Sequence, residues 1–383
     1  MNDLPTPHPF LRCGRFSRRR LELPTLILAS LAIGACGDRE RGVLERSLPV
    51  DQASLRSSFV SSPRAPRPAL TRERTITLEE NAEVINVAPE VFLDPAGGFL
   101  VSDEKEAQIR RYSAEGKVMW RAGRRGNGPG EFAAPTAVVR LASGEVVAFD
   151  RGGRFTVFDR EGKRVVRTFL TRLRHVSDAA VLDGSSVLVA AIPEGDWNAP
   201  RLHVVDPATG TVRSDLFDFA PFRTSPAQAA ATIAGWVKLS VRGDRVAAIF
   251  ATSDTVYVFD TSGRQRRNVA IPFEHFRAAP SRTPHDGNSN PRSRMRWLSS
   301  FDMVADVHWL GNGDLLVPWQ RIDERDVTTR HWNLLRMTAD GRRRQELREV
   351  PRLLEVDGAR SALFFLDPEA EAPNRWFEAR LPG

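Results

Sequence analysis

Six polar side chains stand on short apolar runs that each lead into a turn: Asn86, Thr136, Asp178, Lys238, Asp306 and His308. Asp178 and the pair Asp306 and His308 carry the most chemistry. Carboxylates and an imidazole brought onto one axis can bind a divalent cation, or give and take a proton as acid and base. The same residues can equally hydrogen-bond neighbouring strands and trapped water. The rest of the inventory is sparse. There is no His-x-x-x-His pair and no Gly-x-Ser-x-Gly elbow, and His175, His203, His275, His285 and His331 are scattered. Both cysteines, Cys13 and Cys36, fall in the first tenth of the chain, so the body has no thiolate for a zinc site, a disulfide or a nucleophile.

Beyond residue 72 short runs of Val, Ile, Leu, Phe and Thr alternate with Gly, Asp and Asn turns, and no long amphipathic helix interrupts them. That is an all-β pattern. A unit recurs: an inner strand, a Gly turn, an apolar second strand, then a third strand ending in an aromatic or apolar residue followed by an acid and a glycine turn. The first copy holds Phe99-Leu100-Val101-Ser102-Asp103 and Ile109 to Lys117; the second holds Glu145 to Asp150 and Phe155 to Lys163. Third and fourth copies run through Val187-Leu188-Val189 with Leu202 to Gly210, and Val246 to Ile249 with Val256 to Arg264. A fifth passes Leu315-Leu316-Val317 and Trp332 to Met337, and a degraded sixth passes Leu353 to Val356, Ala362 to Phe365 and Arg375 to Ala379.

A two-sheet sandwich or a jelly roll also contains regular short strands. A repeat of roughly fifty residues is instead the period of four-stranded propeller blades. One blade cannot bury both faces, so the copies must stack and the ring must close. The sixth copy is one strand short while Arg74-Thr75-Ile76-Thr77-Leu78 has no partner, and joining the two ends supplies the missing strand.

Between the first and second copies lies Gly123-Arg124-Arg125-Gly126-Asn127-Gly128-Pro129-Gly130-Glu131-Phe132. A phosphate loop is excluded because no Lys-Ser or Lys-Thr follows the glycines, and a dinucleotide loop because Phe132-Ala133-Ala134-Pro135 does not open a helix. The stretch resembles the blade connector of NHL-type and related bacterial six-bladed β-propellers, in which the glycines and Glu-Phe precede a proline, here Pro135, and the next inner strand. The resemblance implies a six-bladed propeller of four-stranded blades over residues 73–383, closed by an N-terminal strand. Some propellers of that broad superfamily are lactonases, amidating lyases or other hydrolases with axial calcium or zinc, but too few ligands match here to carry those residues over.

The formal net charge is +7, and 51 of the 55 basic residues are Arg. No compact basic block interleaved with aromatics appears, so nucleic acid is not an expected partner. An insertion from Pro272 to Ser300 has no strand pattern, and Phe273, Phe276, Trp297 and Phe301 suit a segment docked at one mouth of the channel.

At the amino terminus, Arg15 to Arg20 lead into an apolar stretch from Leu23 to Ala35, too short to span a bilayer and suited to a signal-peptide core. Its end, Leu31-Ala32-Ile33-Gly34-Ala35-Cys36, resembles a bacterial lipobox, which implies lipidation of Cys36. Residues 1–35 then read as the signal peptide and 36–72, rich in Arg, Ser, Pro and Ala, as a flexible tether. The expected protein is a membrane-anchored lipoprotein of the bacterial cell envelope, facing the periplasm, that binds or scaffolds a protein, peptide or glycan. No cofactor is expected, and the alternative is a hydrolase or lyase with axial calcium or zinc.

Overall fold

Strands of alternating or wholly apolar residues, cut by turns that need glycine, leave antiparallel meanders as the local solution. The computed structural model describes residues 70–79, 90–194, 201–217, 236–271, 276–279, 296–326, 329–342, 344–370 and 374–381. Residues 1–35, expected to be a signal peptide, Cys36, most of the expected tether, Asn86 and Phe273 lie outside them.

In chain order the strands are β1 (Thr71–Thr77), β2 (Glu90–Leu93), β3 (Phe99–Asp103), β4 (Gln108–Tyr112), β5 (Val118–Ala122), β6 (Pro135–Arg140), β7 (Val146–Asp150), β8 (Arg154–Phe158) and β9 (Val165–Leu170). They continue as β10 (Leu173–Val181), β11 (Val187–Pro193), β12 (Leu202–Asp206), β13 (Thr211–Phe217), β14 (Val237–Arg242), β15 (Arg245–Phe250), β16 (Thr255–Asp260) and β17 (Gln265–Ala270). The last are β18 (Asp302–Val304), β19 (His308–Trp309), β20 (Leu315–Ile322), β21 (Arg330–Met337), β22 (Arg344–Val350), β23 (Leu353–Asp357), β24 (Ala362–Leu366) and β25 (Arg375–Arg380).

These strands form six antiparallel blades in a ring: β2 to β5, β6 to β9, β10 to β13, β14 to β17, β18 to β22, and β23 to β25 completed by β1. The chain is a six-bladed β-propeller. Closure follows the expected route, because β1 pairs antiparallel with β25, from Thr71 opposite Arg380 to Thr77 opposite Arg375. The strand begins three residues earlier than the run read from the sequence. Its Ile76 is buried in the seam between the last and first blades with Trp376, Phe99 and Phe364. Phe99 meets Phe364 and Trp376 edge-on at 4.9 and 5.3 Å, so the seam is packed as tightly as a core.

The inner strands are β2, β6, β10, β14, the pair β18 and β19, and β23. Four of these six carry a register slip where a polar residue sits. Pro135 and Ala137 face Asp150 and Phe149, leaving Thr136 extra. Arg174 and Asp178 face Ile192 and Ala190. Val304 faces Trp319 and His308 faces Leu316, so the break that holds Asp306 also has one residue too many. Leu353 and Glu355 face Phe365 and Phe364. Such bulges re-aim a side chain at the cost of one ladder position.

Part of the long insertion docks on the fifth blade. Phe276 meets Trp319 at 5.8 Å, and Trp297 on a helical turn at 296–299 meets Phe301 at 4.8 Å. Buried Asp302 ties the segment down, accepting from the Arg277 backbone N–H at 2.8 Å and from the Arg321 guanidinium at 2.8 Å. Among the described residues no helix is long and apolar enough to cross a membrane.

Candidate functional site

Side chains from the inner strands line an axial cavity of about 280 Å³. Its polar lining includes Glu90 on the first blade, Asp178 on the third, Lys238 on the fourth, Asp306 and His308 on the fifth and Glu355 on the sixth. Asp178, Lys238, Asp306 and His308 were expected from the sequence, and the fold brings all four together. Thr136 is not part of this lining. It sits at the bulge of β6, with its hydroxyl 3.5 Å from the Phe149 carbonyl.

Glu90 and Glu355 complete the site and are not among the residues singled out above. Both stand in plain view on apolar runs, Glu90-Val91-Phe92-Leu93 and Leu353-Leu354-Glu355-Val356. Aligning the first and last inner strands with the middle four would have found them.

Each carboxylate has a distinct set of partners. Asp178 accepts from the Ala179 N–H at 2.8 Å and, across to the next blade, from the Leu239 N–H at 2.9 Å. It is therefore a clasp between the third and fourth blades, as is Ser177, whose hydroxyl donates to the Val237 carbonyl at 2.9 Å. Asp306 accepts from the Val307 N–H at 2.7 Å, and Glu355 from the Val356 N–H at 2.7 Å. Lys238 donates to Glu90 at 3.0 Å. His308 stands between two acids, Nε2 lying 3.7 Å from Asp306 and Nδ1 3.4 Å from Glu355. Because opposite ring nitrogens face different carboxylates, these three groups do not converge on one point. Among the described residues no three His, Cys, Asp or Glu side chains could share a metal ion.

Burial and charge divide the groups. Burial pushes Asp178 up to about 7, with Lys238 opposing and Asp306 reinforcing, and pushes Asp306 up to about 6. Burial also raises Glu355 well above the usual carboxylate range, helped by Asp306 and Asp178. Loss of solvent takes His308 down to about 3, and nearby Lys238 acts in the same direction. For Lys238, burial works against the charge but the Glu90, Asp178 and Asp306 carboxylates outweigh it, so the ammonium is held. Burial opposes ionisation of Glu90 too, yet Lys238 and Arg352 bring its carboxyl below the ordinary value. The Glu90 side chain keeps 45% of its surface open, which leaves that charge partly hydrated. At neutral pH the cavity thus contains one fixed ammonium, one ionised glutamate, a neutral imidazole, a largely ionised Asp306, and Asp178 and Glu355, whose deprotonation burial opposes.

The glycine connector is elsewhere. Gly123, Gly126, Gly128, Pro129, Gly130, Glu131 and Phe132 join β5 to β6. The Glu131 carboxylate accepts from the Gly128 N–H and from Arg124, each at 2.8 Å, and fills the space a phosphate would need. Phe132 is buried against Phe158, and its N–H donates to the Arg124 carbonyl at 2.8 Å. Gly123 and Gly130 have φ of +91° and +74°.

No protein-family model matches the chain, and no curated protein matches it in sequence. Solved structures do match in fold. A member of the DUF4221 family from Bacteroides vulgatus is 11% identical with a TM-score of 0.58, over 82% of this chain and 98% of that one. A Bacteroides fragilis protein inferred to be exported is 12% identical with a TM-score of 0.58, over 82% and 95%. The WD40 repeats of RRP9 are 11% identical with a TM-score of 0.51, over 82% and 100%. At these identities the likeness extends to the propeller fold alone.

Proposed function

We propose that this propeller is a binding module of the bacterial cell envelope, anchored through lipidated Cys36, that receives part of a protein, peptide or glycan at the axial cavity. The observation that carries the reading is the buried ionisable cluster itself. Burying ionisable groups away from water costs stability, and a closed ring of blades can be packed with apolar side chains instead. Clusters of this kind gather where a ligand is met. Export is supported by the lipobox-like Leu31 to Cys36 and by a fold relative inferred to be exported. The connector at Gly123 to Phe132 supports kinship with NHL-type propellers.

The test is a thermal-shift panel of envelope glycans and peptides against the wild type and a Glu90→Ala, Glu355→Gln double variant. A ligand that stabilises the wild type and not the variant supports the reading. Equal shifts in both proteins, or none across the panel, count against it. Stoichiometric calcium or zinc in the purified protein would turn the assignment toward a hydrolase or lyase. For the anchor, Cys36→Ser should abolish labelling by palmitate, and persistent labelling removes the lipoprotein assignment.

A further inference from the structure

Arg242 ends β14 and Arg245 opens β15, and the two face each other in register across the turn at Gly243 and Asp244. Both side chains therefore leave the same face of the fourth blade. In the other five blades at least one member of the corresponding pair is apolar, as where Arg140 faces Val146. Like charges placed directly opposite each other are destabilising, and an anion between them removes the penalty.

Among the described residues neither arginine pairs with a carboxylate. Arg242 Nη2 donates to the Gly311 carbonyl of the fifth blade, and the Arg245 guanidinium lies over the Trp309 ring, 5.0 Å from its centroid. These contacts hold both forks in place without neutralising them. Of the acids on the two turns, Asp314 is engaged by Arg336 at 2.9 Å, and Asp244 stands exposed at the tip. Other arginines at this end of the ring do meet carboxylates, Arg111 and Arg140 at Asp94 and Arg167 at Glu145. Beside the pair is a further donor in need of an acceptor. Trp309 lines the axial cavity and is 4% exposed, and its indole N–H has no hydrogen-bond partner among the described residues.

The two guanidiniums converge over Gly313, where a Cβ would lie 3.7 Å from Arg242 Nη1 and 3.8 Å from Arg245 Nη2. The two nitrogens are thus no farther apart than the oxygens of one carboxylate or phosphate can bridge with hydrogen bonds of ~2.8 Å on either side. We propose that Arg242 and Arg245 form an oxyanion-binding site at the rim of the axial cavity, taking a carboxylate or phosphate group over Gly313. The site is distinct from the ionisable cluster and stands whether or not a ligand enters the cavity. Planar guanidinium forks suit such groups better than an ammonium does.

The experiment is isothermal titration of the whole chain near pH 7.5 with inorganic phosphate and with succinate, at an ionic strength held constant by sodium chloride. The expected result is saturable binding in the millimolar range. It should weaken about tenfold in Arg242→Gln and in Arg245→Gln, the loss of one charge-assisted hydrogen bond in each. Arg245→Lys should weaken it too, since the charge stays and the fork is lost. Arg264→Gln removes the same charge from the other turn at this end of the fourth blade and should leave binding unchanged. If a glutamine variant misfolds, the lysine variant and the wild-type titration decide. Tighter binding of phosphate assigns the site to phosphate-bearing ligands, tighter binding of succinate assigns it to carboxylate-bearing ones, and either supports the site. No saturable binding of either anion, unchanged binding by folded Arg242 and Arg245 variants, or an equal loss in Arg264→Gln overturns the proposal. Such a failure leaves the cavity's binding role standing, because that role is read from the Glu90 and Glu355 double variant.

Discussion

Lys238 Nζ lies 3.0 Å from Glu90 Oε2, joining residues 148 positions apart on blades that are opposite in ring order. An ion pair across the axis couples the two halves of the ring through the cavity. Replacing Lys238 with Met leaves Glu90 and the neighbouring acids without their cation. Removing one partner of a buried pair costs about 3–5 kcal/mol, and the partial hydration of Glu90 lowers the expectation to about 2–4 kcal/mol at pH 8. At pH 5 Asp178, Asp306 and Glu355 are protonated, so the loss should be about half as large. Urea midpoints at the two pH values check this, and a loss that is larger at pH 5 would contradict the charge assignment.

Asp306 has the opposite sign. Its folded carboxyl holds a proton up to about pH 6, above the ordinary 3.8, so the native state binds more protons than the unfolded chain between those values. Stability falls as pH rises through that window. Asp306→Asn removes the charge while keeping an oxygen for the Val307 N–H. The variant should match the wild type near pH 4 and exceed it at pH 7.5, by up to about 3 kcal/mol. Equal differences at both pH values would place the effect in packing rather than in ionisation.

The fold is readable in the sequence because its period survives in the second and third strands. The second strand of the first repeat, Phe99 to Asp103, is β3 residue for residue. The inner strands are less legible for a physical reason. Period-two alternation says which side chain faces the channel only while the register is unbroken, and bulges at Thr136, Asp178, Asp306 and Glu355 break it. Asp178, Lys238, Asp306 and His308 could still be found because each precedes a recognisable glycine turn by five to eight residues. Glu355 stands in the most degraded repeat. Glu90 is the first residue of its strand, before any alternation can be read, and the salt bridge to Lys238 depends on ring order, which no local pattern encodes.

Ring closure can be tested by truncation. A chain beginning at residue 70 retains β1, whereas one beginning at residue 79 loses it and uncovers both the edge of β25 and Trp376. The first should melt as the full chain does, and the second should aggregate through its open edge. Ile76→Ala is the milder version, with an expected cost of about 2–5 kcal/mol for a buried aliphatic truncation. Indistinguishable melting of the two truncated chains would mean that β1 does not close the ring.

The connector allows a graded test with alanine. At Gly123 a Cβ would stand 2.4 Å from the buried Phe132 ring, in a backbone at φ +91°. Neither the ring, packed against Phe158, nor the backbone can yield cheaply, so Gly123→Ala should cost more than about 2 kcal/mol. At Gly130, φ is +74° and the contact is Val165 Cγ2 at 2.7 Å, a methyl on a half-buried strand. Gly130→Ala should cost about 1–2 kcal/mol. At Gly128 the nearest atom is the Glu131 Oε2 at 3.1 Å, the end of a flexible side chain, so the alanine there should cost under about 1 kcal/mol. Denaturant midpoints should therefore fall in the order Gly128, Gly130, Gly123. Added nucleotide should shift none of the melting curves, because Glu131 occupies the loop and repels a phosphate. Unchanged midpoints together with a nucleotide shift lost on substitution would make the segment an anion cradle and remove its role as a hinge of the first two blades.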